Sequence, residues 1–252
     1  MFDCRFDLTN ADAGSRRYRD GHIPRAAYLH LNIDLSGPVE PGKSGRHPLP
    51  KRAAFEALLT EHGVTDETQI VAYDDVGGMF AARLWWMVRW TGHTAVAVLD
   101  GGYQAWLKRE GAHAARDTAR APVVPSPVSM QQVREHVDAG TWTLVDARAS
   151  DRFHGKNETI DPVAGHIAGA LNAPFQGNLG DDGRFLERAE LQRRFSALLA
   201  GEGGKPVVCY CGSGVTAAHN VLAMVHAGMP EPALYPGSFS EWITDPGNPV
   251  AT

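Results

Sequence analysis

The sequence is short of cysteine, of net positive charge and of long apolar runs, and each shortage removes a class of function. Three cysteines in 252 residues, Cys4, Cys209 and Cys211, cannot make a disulfide framework. They are expected to be reduced thiols of a cytoplasmic protein, because disulfides belong to oxidising compartments. Lys and Arg number 24 against 29 Asp and Glu, a formal net charge of -5. Nucleic acid and acidic membrane surfaces are therefore not the expected partners. No apolar run reaches the roughly 18–20 residues that a membrane span needs. The start, Met1-Phe2-Asp3-Cys4-Arg5, lacks the shape of a secretion signal. What is present is ordinary globular material, 43% hydrophobic and 21% charged, enough for one large or two small domains with their own cores.

The chain contains itself twice. Asp3-Cys4-Arg5 followed by Gly21-His22-Ile23 returns as Asp146-Ala147-Arg148 followed by Gly165-His166-Ile167. The run Ile70 to Tyr73, then Asp74-Asp75-Val76-Gly77-Gly78, returns as Pro206 to Cys209, then Tyr210-Cys211-Gly212-Ser213-Gly214. Each copy closes on a glycine turn and a tryptophan, at Trp106 and at Trp242. In this alignment Asp75 stands opposite Cys211. A proline-bearing stretch separates the copies, with Pro122, Pro125 and Pro127, a composition that favours an extended linker. The expected domains are 1–112 and 128–252, joined by 113–127. Only the second would be chemically active, because a carboxylate cannot replace a sulfur nucleophile.

Short β runs alternate with helical patterns in both copies. Helices are expected at 52–62, 79–90, 103–108, 130–139 (with Ser129 as N-cap), 188–199 and 215–227. Strands are expected at 70–73, 95–99, 143–146, 207–209 and 233–235. This alternation predicts an α/β fold, each domain a mainly parallel sheet flanked by helices. Sites in such sheets lie beyond the carboxyl ends of strands. Cys211 lies at one such end, on a glycine-bearing loop before a helix. Loop N–H groups and the helix dipole there favour the thiolate, the nucleophilic form of cysteine. Burial in a core is the commoner fate of the residue type, and the loop at a helix start sets this one apart.

Taken together, the Cys211 loop, the two Asp-x-Arg elements and the two Gly-His-Ile elements resemble those of two-domain rhodanese-type sulfurtransferases over nearly the whole chain. Cys211-Gly212-Ser213-Gly214-Val215-Thr216 is similar to the active loop of the 3-mercaptopyruvate sulfurtransferases. The thiosulfate branch typically carries two cations after the cysteine, where this chain has Gly212 and Ser213. The resemblance implies two tandem rhodanese-like domains, the first degenerate, and a Cys211 persulfide as the covalent intermediate. A sulfane sulfur would pass from 3-mercaptopyruvate to a thiol or cyanide, with no other cofactor and no metal. It implies Arg152 as a substrate contact and the N–H groups of Gly212, Ser213, Gly214, Val215 and Thr216 as a cradle for the anionic sulfur. Ser213 is a polar contact or a relay member with His22 and Asp12. Arg148 is expected to pair internally near Asp146. A thioredoxin-like reductant is a further expected partner.

The chain departs from this family in two places. Mercaptopyruvate enzymes usually carry a second arginine several residues after the first, and Gly155-Lys156-Asn157-Glu158-Thr159-Ile160-Asp161 offers only Lys156. Only two residues precede Asp3, so the first sheet is expected to be short by most of a strand. Thiosulfate:cyanide sulfurtransferase is the alternative reading. From another class stands a non-catalytic rhodanese-like binding module, against which the intact cysteine loop argues. A cysteine phosphatase needs an arginine six positions after the cysteine, where this chain has Ala217. A zinc site from Cys209, Cys211 and His219 is not expected either.

Overall fold

The computed structural model describes residues 1–108 and 126–252. The expected linker therefore lies outside the described residues up to position 125. Pro127, at its end, already bridges Leu234 in parallel fashion. The chain splits into two compact units, neither contiguous in sequence. The first takes Met1–Pro38, the described part of Leu49–Pro125, and Leu179–Phe185. The second takes Val39–Pro48, Ser126–Asn178 and Leu186–Thr252. Against a division into 1–112 and 128–252, two short segments are exchanged.

The first unit runs β1 (Phe2–Asp3), α1 (Ala13–Asp20), β2 (Ala27–Tyr28), α2 (Arg52–Glu61), β3 (Ile70–Tyr73), α3 (Ala81–Trp90), β4 (Val96–Val98) and α4 (Gly102–Leu107). Its sheet is parallel, in the order β2-β1-β3-β4. The second unit runs α5 (Met130–Ala139), β5 (Thr143–Asp146), α6 (Ser150–Phe153), β6 (His166–Ile167) and β7 (Leu171–Asn172). It continues with a 3-10 turn (Phe175–Asn178), α7 (Arg188–Leu198), β8 (Val207–Tyr210), α8 (Thr216–His226), β9 (Ala233–Leu234), α9 (Ser238–Trp242) and β10 (Val250–Ala251). Its main sheet is parallel in the order β7-β5-β8-β9, and β10 pairs antiparallel with β6. Read by position, the two main sheets have one topology. β1 has two residues where its counterpart β5 has four.

Local sequence explains these elements. The runs Ile-Val-Ala-Tyr and Val-Val-Cys-Tyr are apolar and β-branched, as strands covered on both faces must be. The helices that follow them, α3 and α8, are buried almost end to end, which their nearly continuous apolar sequences allow. Ser129 forms a full capping box with Gln132 at the start of α5, satisfying two otherwise unpaired groups. The second core gathers Val133, Leu144, Phe153, Ile167, Tyr210 and Trp242, with neighbours around them.

The repeated motifs are a frame that holds strand ends. In the first unit Arg5 lies on the buried Asp3 carboxylate at 2.6 Å, donates to the Gly21 carbonyl at 2.6 Å and stacks on Tyr103. In the second, Arg148 lies on Asp146 at 2.7 Å, donates to the Gly165 carbonyl at 2.7 Å and stacks on Phe239. The N–H groups of Ile23 and Ile167 both donate at 3.1 Å, to the hydroxyls of Tyr73 and Tyr210. A buried ion pair needs such additional hydrogen bonds to offset its desolvation.

This frame corrects the alignment of the two copies by one residue. Asp3 pairs with Tyr73 in the sheet as Asp146 pairs with Tyr210. Tyr103 N–H donates to the Asp74 carbonyl as Phe239 N–H donates to that of Cys211. Asp74, not Asp75, therefore stands in the place of Cys211. The error came from ending the strand at Cys209, whereas β8 runs through Tyr210.

Candidate active site

In the second unit the chain goes from β5 out to β7 on one side and returns to β8 on the other. The carboxyl ends of β5 and β8 thus flank a topological switch point, where ligands bind in open α/β sheets. Arg148 leaves the end of β5, and Cys211 leaves the end of β8. Cys211 is 2% exposed, and its sulfur accepts the Gly214 N–H at 3.2 Å. Its own N–H donates to Ser238 Oγ at 3.1 Å. The loop turns through Gly214 at φ +77, where a Cβ would also run into the Pro236 carbonyl. Helix α8 begins at Thr216, five residues on, so its positive end faces the same loop. The expected cradle residues, Gly212 to Thr216, all lie in this turn or at this helix start.

Arg152 sits on α6, and its guanidinium is already engaged. It donates to Glu158 at 2.9 Å and to Asp161 at 3.0 Å. The second cation comes from a segment the sequence reading passed over. Arg46, in Val39–Pro48, also pairs with Asp161. An ideal Cβ on Gly212 would lie 2.7 Å from Arg46 Nη2 and 3.8 Å from Arg152 Nη2. Two guanidinium forks thus meet beside the residue after the nucleophile. Burial pushes Arg46 below the ordinary arginine range, against the pull of the Cys211 sulfur, while Arg152 adds repulsion. Arg46 thus brings a second guanidinium beside Gly212, from a part of the chain far from the expected downstream position. Arg148 pairs internally with Asp146, as expected, and also reaches Glu158 at 3.5 Å.

Ser213 is buried, and its hydroxyl meets His47 Nδ1 at 2.7 Å. His47 follows Arg46 on the same segment. That segment is seated in the second unit by Arg46 N–H on Ser240 Oγ at 3.1 Å and by Gly45, where a Cβ would come within 2.5 Å of the Gly237 carbonyl. The other expected relay members, His22 and Asp12, belong to the first unit. In the first unit His22 is exposed, stacks on Tyr18 and meets its carbonyl at 2.8 Å, and Asp12 begins α1. The sequence cue that was missed is Ser44-Gly45-Arg46-His47-Pro48, an arginine and a histidine bracketed by a glycine and a proline.

The matching loop of the first unit carries its own anion. Asp74 is fully buried, and its carboxylate accepts the N–H groups of Val76 and Gly78 at 2.9 Å, Phe80 at 2.8 Å and Ala81 at 2.9 Å. Asp75 pairs with Arg17 at 2.7 Å. Cys209 lies in β8 and Cys4 just past β1, both fully buried, and burial pushes both thiols well up. His219 is spoken for by Asn178 in a buried cluster. Among the described residues no group of three or more His, Cys, Asp or Glu could hold a metal ion, and no helix is long and apolar enough to cross a membrane.

Two α/β units of one topology, one with a cysteine and one with an aspartate at the same strand end, define a tandem domain pair with a single thiol centre. The rhodanese-like domain matches residues 1–109 and 129–245, and the chain belongs to the rhodanese family. Among its relatives is a Pseudomonas aeruginosa protein named "Probable 3-mercaptopyruvate sulfurtransferase", 47% identical over 263 residues, covering all of this chain and 92% of that protein. The thiosulfate sulfurtransferase of Bos taurus is 34% identical over 247 residues, covering 90% of this chain and 79% of that one. The solved 3-mercaptopyruvate sulfurtransferase from Leishmania major superposes with a TM-score of 0.80 at 31% identity, over 96% of this chain and 69% of that one. SseA from Escherichia coli, whose crystal structure describes the rhodanese fold of such enzymes, gives 0.75 at 30% identity, over 95% and 92%.

Proposed function

We propose that the protein moves a sulfane sulfur from 3-mercaptopyruvate to a thiol or cyanide through a persulfide on Cys211. The observation that carries this is the Cys211 sulfur accepting the Gly214 N–H of its loop, with the Arg46 and Arg152 forks converging at Gly212. The donor carboxylate takes the forks, and its sulfur lies toward the loop. The Cys211 thiolate attacks that sulfur. The carbon–sulfur bond breaks with its electron pair on carbon, and the proton of the donor thiol ends on that carbon. The products are pyruvate and the persulfide anion, held by the loop N–H groups. Cyanide or a thiolate then attacks the outer sulfur, restoring the Cys211 thiolate in a ping-pong cycle. The donor, the acceptor and the persulfide are all the chemistry requires. A thioredoxin-like dithiol is a fitting physiological acceptor, and three buried free thiols suit the cytoplasm.

Steady-state rates with 3-mercaptopyruvate and thiosulfate, at matched acceptor, test this reading. The expected outcome is a higher kcat/KM for 3-mercaptopyruvate. Arg152→Ala should lower that value by roughly one to two decades, since a charged bidentate contact contributes about 1.5–3 kcal/mol. Equal or better use of thiosulfate would overturn the donor assignment.

The Ser213–His47 pair has a role only where a proton must travel. Sulfite leaves thiosulfate as a dianion, without a proton, whereas 3-mercaptopyruvate must shift one from sulfur to carbon. His47→Gln is therefore expected to lower kcat with 3-mercaptopyruvate by about a hundredfold, a usual size for lost general acid–base help. Turnover of thiosulfate should change by less than about threefold on the same physical ground. A matching fall with both donors would show that His47 only holds the loop in place.

A further inference from the structure

The cations beside Cys211 do not stand alone. Arg46, Asp161, Arg152, Glu158, Arg148 and Asp146 form an unbroken ladder of alternating charge, each in contact with the next. Asp161 and Glu158 are nearly sealed from solvent, with side chains 1% and 3% exposed. Glu158 also accepts the N–H groups of Ile160 at 2.8 Å and Asp161 at 2.9 Å, which fixes the turn that carries Asp161. Three guanidiniums therefore face three carboxylates, and the ladder has no net charge. Asp161 is the counter-ion shared by the two forks at Gly212.

We propose that Asp161 is the residue that sets donor charge selectivity, admitting monoanions and excluding dianions. This rests on the sulfur-transfer reading and adds a selection rule to it. A carboxylate that reaches Gly212 must share Arg46 and Arg152 with Asp161. One incoming negative charge competes with Asp161 for both forks and with Glu158 for Arg152. A second brings like-charge repulsion from a fixed, buried carboxylate, where screening by water is weak. 3-Mercaptopyruvate carries one carboxylate, and thiosulfate carries two negative charges. The absence of cations at positions 212 and 213 leaves the loop nothing with which to offset the second charge.

The test is Asp161→Asn, which keeps shape and removes one negative charge. The ratio of kcat/KM for thiosulfate to that for 3-mercaptopyruvate is expected to rise at least about tenfold, because the added attraction scales with donor charge. A ratio that is unchanged, or that moves toward 3-mercaptopyruvate, overturns the proposal. A second arm uses the wild-type chain and does not depend on the variant folding. Pyruvate and sulfate are compared as ligands by calorimetry and as competitive inhibitors. Pyruvate is expected to bind at least about tenfold more tightly, and sulfate binding as tightly as pyruvate overturns the proposal. Turnover of neither donor by the wild type would instead overturn the sulfur-transfer reading, while the calorimetric ranking of the two anions, compared between the wild type and Asp161→Asn, would still decide the role of Asp161.

Discussion

Cys211→Ser is expected to abolish sulfur transfer from every donor, leaving only the uncatalysed background. A serine hydroxyl offers no persulfide, and no neighbouring thiol can stand in. Cys209 is enclosed within β8, and burial holds its thiol protonated. Cys4 is equally enclosed in the first unit. Cys4→Ser and Cys209→Ser should therefore retain most activity, at some loss of stability from placing a hydroxyl in an apolar site. Mass spectrometry of donor-treated protein should find one added sulfur, about 32 Da, on the peptide that carries Cys211, as a persulfide requires. An added sulfur on the Cys4 peptide instead would sink the assignment.

A loss of stability rather than activity is expected from Asp74→Ala. Four backbone N–H groups converge on that carboxylate inside the first unit. Removing it leaves buried donors without an acceptor, and the cost should be about 3–5 kcal/mol. For a chain of this size that lowers Tm by roughly 10 °C. Asp74→Asn, which keeps one oxygen acceptor, should fall between the two. A thermal melt displaced by less than a degree or two would show that the loop does not depend on its own anion.

Much of this architecture was legible in the sequence, for identifiable reasons. Duplication made each motif visible twice, so Asp-x-Arg and Gly-His-Ile stood out, and the Arg148–Asp146 pair was expected, though the carbonyl and the aromatic face that complete it were not apparent. The helices α2, α3, α5, α7 and α8 followed from apolar periodicity and, for α5, from its capping serine. Of the strands with two residues, Ala27–Tyr28, His166–Ile167 and Leu171–Asn172 did not, because period-two alternation needs more length than they provide. Tyr210 was misread as loop because its hydroxyl contact with the Ile167 backbone is a tertiary fact. Arg46 and His47 were missed for a similar reason. They lie over a hundred positions from Asp161 and Ser213, and no local pattern announces such a meeting. Arg152 was expected from the family resemblance, but its two carboxylate partners were not.

The seating of Val39–Pro48 in the second unit bears on how such a gene can change. A fragment beginning after the linker would keep Cys211 but lose Arg46 and His47. The half without the thiol is thus not spare material that drift could discard. Deletion of that half would strip the other of one of its two guanidinium forks and of its imidazole at one stroke. The two copies have become hereditary partners, free to diverge in sequence but not to part.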